Sequence, residues 1–497
     1  MKETKVKVIE YRGITLMSLV ITVIVLLILA GISIGMISGE KGILNKARKS
    51  KNSIDEATTL EYIKTSIAAS RTPDNDVSEQ TLQKELDKFF DKSEIIVVNE
   101  NDYMIKINDK IYNYSNGEVT SGYELKTSTN GIIEVSKDPK IVSSKIYGNS
   151  IQDGDPSPDS PIEIQSVGDL VTDENDANYG KYKVPIIVRG KNLWDRPNVN
   201  ANKSGTQVFN ASDYYWIKNN TEITFSADVN FKEDDTRTSP RISISVFYED
   251  GTYIVNGNFN IIKDGNTRRL SVTINTGSKE ITKIIFRTND YSQNTEGVWN
   301  ASADNMQIEL GDTETKYESY VEPTTINLYL NEPLRKIGDY ADYIDLNNKK
   351  IIRNVKHIEF SGNEDWSKYV SVDKHYQFMV KDNKFSDSTN LVLSNYYKAD
   401  KTTGGYFSSK DYAVISVDGS RIRFKDKDIS SVDEWKAKLQ TYFNNGNSLK
   451  TDYVLVSSTE EDIDVDIPDM LNAIKGTKIL AINTKVQPDN IETIYYN

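Results

Sequence analysis

Residues 241–251 read RISISVFYEDG, an alternation of apolar and polar side chains that runs into a turn. Alternation puts every second side chain on the same face of a strand, so this stretch predicts a half-buried β-strand ending in a tight turn. From about residue 121 onward such stretches recur, separated by Asn, Asp and Gly turns, as in β-sandwiches and jelly rolls. The sequence therefore predicts an α+β fold that is mainly β.

Helical periodicity is confined to a few segments. Residues 43–70 carry apolar side chains at three- and four-residue steps, which predicts a helix that packs on a following domain or stands as a lone stalk. Ser78 is the expected N-cap of a second helix ending near Phe90. Three short strands are expected at 95–98, 103–107 and 110–114, with Asn108-Asp109 as a hairpin turn. Beyond residue 121 the one clear helix is predicted at 431–443.

An uncharged, mostly apolar run extends from residue 14 to residue 39. A bilayer core needs roughly 20 apolar helical residues, so residues 14–37 predict a membrane-spanning helix, with a buried core helix as the alternative. Lys and Arg precede the run and favour a cytoplasmic N-terminus, whereas the basic residues from Lys41 to Lys51 argue the other way. We expect a single-pass protein of the cell membrane with its C-terminal region outside.

Gly13-Ile14-Thr15-Leu16 followed by the apolar run resembles the class III signal of type IV pilins and pseudopilins. The resemblance implies that a prepilin peptidase cuts between Gly13 and Ile14 and that the new N-terminus is methylated. Members of this family usually carry Glu at the fifth mature position, where this chain has Ser18. A tethered pilin-like surface protein and a minor filament subunit therefore both remain open.

The chain from about residue 121 to residue 497 resembles tail and minor structural proteins of phages of Gram-positive hosts. The stretches that carry this resemblance are 148–154, 156–164, 188–194, 307–311, 317–320, 328–342 and 476–479. The resemblance implies a jelly roll similar to carbohydrate-binding modules and a variable insert at about 359–454.

The predicted division of the chain follows these boundaries. It comprises a leader (1–13), a transmembrane and stalk helix (14–70), a small pilin-like αβ domain (71–120), a β-rich connecting module (121–190), a jelly roll (191–320) and a β-rich tail-protein-like module (321–497).

Composition excludes several classes of function. The net charge of −13 disfavours nucleic acid as a partner, because phosphate binding needs clustered Lys and Arg. The chain has no Cys and only two His, His357 and His375, so no metal or cofactor site is predicted. A Ser-His-Asp triad would have to use one of these histidines, and no nucleophile motif accompanies either. We expect no catalytic residues, and the many paired acids are expected to lie in solvated turns and edge strands.

Aromatic side chains are the candidate ligand contacts, because sugars stack on aromatic faces. The candidates are Trp194, Tyr214, Tyr215, Trp216, Trp299 and Trp366. The alternative is that these side chains fill the sandwich cores. The expected function is non-enzymatic binding of a glycan or cell-surface receptor by a membrane-anchored protein. The alternatives are a minor pilin, which would have other pilin-like subunits as partners, and a prophage receptor-binding protein.

Overall fold

The computed structural model describes residues 43–73, 76–99, 102–108, 110–115, 117–135, 140–195, 206–210, 217–235, 241–258, 261–287, 301–370, 376–381, 391–400, 407, 409, 411–417, 421–463 and 467–496. The fold is 51% strand and 12% helix, which confirms the mainly β prediction. The chain divides into two compact units at Gly122/Tyr123. The finer division predicted from the sequence stays a prediction.

The first unit packs two helices against an antiparallel sheet of order β1-β2-β3. Its elements are α1 (Ile43–Ala69), α2 (Glu79–Leu86), β1 (Ser93–Asn99), β2 (Asp102–Ile107) and β3 (Lys110–Ser115), and β4 (Glu118–Ser128) begins here and continues into the second unit. The core combines side chains from the helices and strands, among them Ile63, Ile67, Leu82, Leu86, Ile105 and Tyr112.

The helices of the first unit follow the sequence pattern closely. Ser78 is the N-cap of α2, and its hydroxyl accepts a hydrogen bond from the Thr81 backbone N–H, as predicted. This helix ends at Leu86, earlier than predicted, and turn residues continue to Phe89. On α1 the buried stripe includes Ile63, whereas Tyr62 is 40% exposed. Asn108 has a positive φ of 55°, which fits the predicted hairpin turn.

The second unit contains the remaining strands and two helices. In chain order they are β5 (Ile132–Val135), β6 (Lys140–Tyr147), β7 (Ser150–Ile151), β8 (Gln165–Ser166), β9 (Asp169–Leu170), β10 (Tyr182–Gly190), β11 (Thr206–Asn210), β12 (Glu222–Phe231), β13 (Ile242–Tyr248), β14 (Tyr253–Asn258), β15 (Thr267–Asn275), β16 (Ile281–Arg287), β17 (Ala301–Leu310), β18 (Thr324–Leu330), β19 (Lys336–Ile337), β20 (Tyr340–Ala341), β21 (Tyr343–Asp345), β22 (Lys350–Phe360), β23 (Ser367–Val370), β24 (Tyr376–Lys381), β25 (Val392–Ser394), β26 (Tyr412–Val417), β27 (Arg421–Asp426), α3 (Val432–Asn444), β28 (Leu449–Asp462), α4 (Ile467–Ala473), β29 (Lys478–Ile482) and β30 (Asn490–Tyr496).

Two antiparallel sheets form the central sandwich of this unit. One has the order β4-β30-β6-β21-β22-β28-β25, and the other has the order β18-β10-β29-β5 with β9 beside β10. Their shared core is aliphatic and includes Ile146, Val184, Ile186, Leu334, Ile344, Leu480 and Ile491. The sequence predicts only one of the two helices of this unit. Helix α3 has Ser431 as its N-cap, as predicted, whereas α4 was missed.

A second sandwich pairs the sheet β11-β16-β13-β14 with the sheet β15-β12-β17. The alternation at residues 241–251 correctly identifies the side chains that enter its core, because Ile242, Ile244 and Val246 are fully buried. The expectation of a half-buried strand is wrong, because Ser243 and Ser245 are buried as well. These side chains meet Phe225 and Phe286 in the same core. The short pairs β7-β8 and β19-β20 lie outside both sandwiches.

A third cluster lies in the chain between β22 and β28, where the sheet β23-β24-β27-β26 packs with helix α3. Its core is aromatic. Trp435 is fully buried, stacks on Phe378 at a centroid distance of 4.9 Å and meets Trp366 edge-on at 5.4 Å.

Four of the stretches quoted for the predicted phage-tail resemblance meet in one largely buried polar network. The Lys191 ammonium lies 3.8 Å from a Glu309 oxygen and 3.3 Å from a Glu318 oxygen. Glu318 also accepts a 2.9 Å hydrogen bond from the Thr477 backbone N–H. The Asn192 side-chain amide donates to the carbonyl of Glu318 at 2.9 Å. These residues join distant parts of the chain, which gives the quoted motif residues a structural role.

No helix within the described ranges is both long and apolar enough to cross a membrane. The predicted span at residues 14–37, Ser18 and the predicted cleavage point at Gly13 and Ile14 lie outside the described residues.

Candidate binding cleft

Four polar side chains stand together where β22 and β28 pair. His357 is directly opposite Asp452, and Glu359 is directly opposite Lys450. Residues two apart on a strand point to the same face, so these four side chains form a block on one face of the sheet. The block borders a cleft of about 510 Å³ in the second unit.

Asp452 holds the imidazole of His357 in a defined orientation. The His357 Nδ1 lies 2.6 Å from Asp452 Oδ1, and the Arg335 Nε lies 3.4 Å from the same oxygen. Asp452 and Arg335 are buried, whereas the side chain of His357 is 28% exposed. A carboxylate accepts from an imidazole N–H, and in this arrangement Nε2 is left for other partners.

The wall that contains Arg335 is fixed by a second buried carboxylate. Asp342 Oδ2 accepts from the Arg335 backbone N–H at 3.0 Å, and Oδ1 accepts from the N–H groups of Asn354 and Val355 at 2.8 and 2.9 Å. Burial raises the pKa of Asp342, while the neighbouring Arg353 and these N–H groups act in the opposite direction. The segment 331–342 is thereby held rigidly beside the β22–β28 block.

A further wall comes from residues 163–166, 168–170, Tyr182 and residues 485–486. The Lys485 backbone N–H donates to Asp169 at 3.1 Å, and the Lys450 backbone N–H donates to Asn395 at 2.8 Å. Burial raises the pKa of the Tyr182 hydroxyl, and Arg335 lowers it. Leu170, which is exposed, adds an apolar contact surface to this wall.

Several charged side chains at the cleft have no ion-pair or hydrogen-bond partner among the residues that the structure describes. Among the residues that the structure describes, none makes an ion pair or side-chain hydrogen bond with Glu163, Lys450 or Lys485. Both ammonium donors and carboxylate acceptors are therefore available to a ligand. The lining residues include five acids and three permanent cations, namely Glu163, Asp169, Glu332, Glu359 and Asp452 against Arg335, Lys450 and Lys485.

The His357–Asp452 pair has the arrangement of two members of a Ser-His-Asp triad. Within the described ranges, no hydroxyl group hydrogen-bonds to His357 Nε2. In the same ranges, no group of three or more His, Asp or Glu side chains is placed to share a metal ion. What the geometry offers is a mixed set of hydrogen-bond donors and acceptors around an open cleft.

Two of the predicted aromatic contacts occupy cores. Trp194 is 3% exposed and stacks on Phe225 at a centroid distance of 5.4 Å, and Trp366 packs against Phe360. The core-filling alternative thus describes these two side chains. The other predicted contacts, Tyr214, Tyr215, Trp216 and Trp299, lie outside the described residues.

The sequence prediction did not place His357 and Asp452 together, because the two residues are 95 positions apart. Two signals were available. The chain has only two histidines, and Arg335 lies in the quoted stretch 328–342. Neither signal identifies Asp452 among the 73 acidic residues.

No protein-family model matches the chain, and no curated protein matches it. The resemblances to pilins and to phage tail proteins therefore stay predictions that depend on the residues quoted for them.

Proposed function

We propose that the protein is a bacterial surface protein anchored by a pilin-type helix at residues 14–37, and that its β-rich modules bind a glycan or another surface receptor. The observation that carries the proposal is the cleft, where Glu163, Lys450 and Lys485 have no described protein partner. Polar side chains without a protein partner can bind a ligand, and the fixed walls of the cleft favour this. The walls need little rearrangement when the ligand displaces water from these side chains.

The cleft favours an uncharged, hydroxyl-rich ligand. A hydroxyl group both donates and accepts hydrogen bonds, so it can use Glu359 as an acceptor and Lys450 as a donor at the same time. A strongly anionic ligand would meet Glu163 and Glu332 in the same space. Leu170 and Tyr182 supply apolar surface for the C–H groups of a sugar ring.

Binding of the full-length protein, in detergent micelles, to an array of neutral and acidic glycans tests this proposal. We expect binding to a neutral glycan, and we expect Lys450→Met and Glu359→Gln each to weaken it about tenfold through the loss of a charged hydrogen bond. Glu460→Gln is the matched control, because Glu460 lies on the same strand but is not part of the cleft. Equal binding by all four proteins would exclude the cleft as the site.

A minor pilin is the second candidate, and the packing of the first unit favours it. Helix α1 packs Ile63 and Ile67 against Ile105 and Tyr112 of a small antiparallel sheet. A long helix on such a sheet is the plan expected of a pilin headpiece. Electron microscopy of wild-type and deletion strains separates the candidates, since a filament subunit requires filaments that are lost on deletion.

A further inference from the structure

Three side chains form a row across the outer face of the second sandwich. Phe247 on β13 is directly opposite Tyr253 on β14 and directly opposite Lys283 on β16. The rings of Phe247 and Tyr253 stack at 5.3 Å, and the Lys283 ammonium lies 4.7 Å from the Phe247 centroid. Tyr253 is 60% exposed, whereas Phe247 and Lys283 are half-buried, so solvent reaches the row mainly at Tyr253.

The adjoining rows add side chains on the same face, although Ser243 and Ser245 within these rows are buried. Val255, 49% exposed, lies two residues from Tyr253 on the same face, and Arg287 lies four residues from Lys283. The alternate residues of these strands, such as Ile244 and Phe286, point inward and are fully buried. We name the outer residues Phe247, Tyr253, Val255, Lys283 and Arg287 the aromatic–basic strip.

The charge of the strip is opposite to that of the protein. Within the described lengths of β13, β14 and β16, the outer face carries Lys and Arg but no Asp or Glu. The chain as a whole carries a net charge of −13. No carboxylate of the described residues forms an ion pair with Lys283, whose ammonium instead lies over an aromatic ring. The cation is therefore available to an external anion.

We propose that the aromatic–basic strip is a second binding site, separate from the cleft, and that it takes carboxylated saccharides. The C–H face of a sugar ring packs on the exposed ring of Tyr253, as apolar groups pack on aromatic faces. The sugar carboxylate pairs with Lys283. Arg287 already donates a hydrogen bond to Ser245 Oγ at 3.2 Å. A polyol phosphate chain lacks the ring that would cover Tyr253, so the strip favours a saccharide over a phosphate polymer.

Calorimetric titration of the full-length protein with tetragalacturonate and with its methyl ester tests the proposal. The two probes have the same rings, but only the acid is charged. We expect the acid to bind at least about tenfold more tightly, because a charge-assisted contact is lost in the ester. We also expect that affinity to fall as salt is added, because exposed charges are screened.

Variants at the strip separate the contribution of its charge from the contribution of its aromatic ring. Lys283→Met should weaken binding of the acid about tenfold and leave the ester unchanged, whereas Tyr253→Ala should weaken both. Lys427→Met is the matched control, because the Lys427 ammonium lies 5.1 Å from the centroid of Tyr412 on another sheet. Tyr253 is largely solvent-exposed, so its replacement leaves the sandwich core intact.

Three results would overturn the strip proposal: equal affinity for the acid and its ester, no binding of the acid, or acid binding that survives Lys283→Met. The cleft is tested separately, since Lys450→Met should leave tetragalacturonate binding unchanged. If the protein binds tetragalacturonate but no neutral glycan, the proposal for the strip stands and the proposal for the cleft fails.

Discussion

Asp452 is the residue on which the geometry of the cleft depends, because it contacts both His357 and Arg335. Removing one member of a buried charge cluster leaves its partners unpaired in a region of low dielectric constant. We expect Asp452→Asn to lower the free energy of unfolding by about 3 kcal/mol. Denaturant unfolding followed by tryptophan fluorescence measures this change. Asp462→Asn, at an exposed position on the same strand, should leave stability unchanged.

Glu134 makes stability depend on pH. Burial and the nearby Glu309 raise its pKa above the ordinary value of 4.5. The folded state therefore holds the proton more tightly, and the stability contributed by this group is present below pH 4.5 and lost as the pH rises through the raised pKa. We expect Glu134→Gln to reduce the loss of stability between pH 4.5 and pH 7. Unfolding free energies with the same slope in both proteins would contradict this.

Trp194 and Tyr253 show what residue type alone can and cannot predict. Both are aromatic residues of the same sandwich, but Trp194 is buried in its core and Tyr253 lies on its outer face. Aromatic content predicts that some rings bind ligands and others fill cores, because both uses exploit the same apolar surface. Only the register of β13 with β14 assigns Tyr253 to the outer face beside Phe247.

Helix α3 is an element whose start was predictable from the sequence. Ser431 accepts from the Glu434 N–H at 3.2 Å, and Glu434 accepts from the Ser430 N–H at 2.8 Å. We expect Ser431→Ala to destabilise the protein by about 1 kcal/mol and Ser431→Asn to restore most of this loss, since Asn is also a good N-cap. Hydrogen exchange of the first-turn amides of α3 measures the effect. Equal protection in the three proteins would show that the cap is not needed.

Helix α4 was missed for a physical reason. It has only seven residues and begins Ile467-Pro468, so it is too short to display a helical period. Its buried residues Ile467 and Leu471 pack into the central sandwich core. Tertiary packing, and not local propensity, therefore fixes this helix, whereas α1 is long enough for its apolar stripe to be recognised.

At the scale of the whole molecule, the mainly β class was predictable and the cleft was not. Alternation along one strand is a local signal, so residues 242–248 reveal which of their faces turns to the sandwich core without reference to a partner strand. The cleft draws on residues 163–170, 331–335, 357–359, 450–452 and 485–486. Contacts between residues so far apart in the chain depend on the order of the strands in the sheet. That order cannot be derived directly from a single sequence.

The proposed anchor makes a prediction for the whole molecule that is independent of either ligand site. If residues 14–37 act as a pilin-type helix, a membrane peptidase removes residues 1–13 and the apolar helix stays on the mature protein. We expect mass spectrometry of protein from native membranes to find an N-terminal methylated Ile14. Gly13→Leu should block the cut and leave the leader in place, with the protein still in the membrane, because the apolar run is intact. An intact Met1 on the wild-type protein would contradict pilin-type processing and leave a plain signal anchor. In that case Ser18 would not take part in filament assembly.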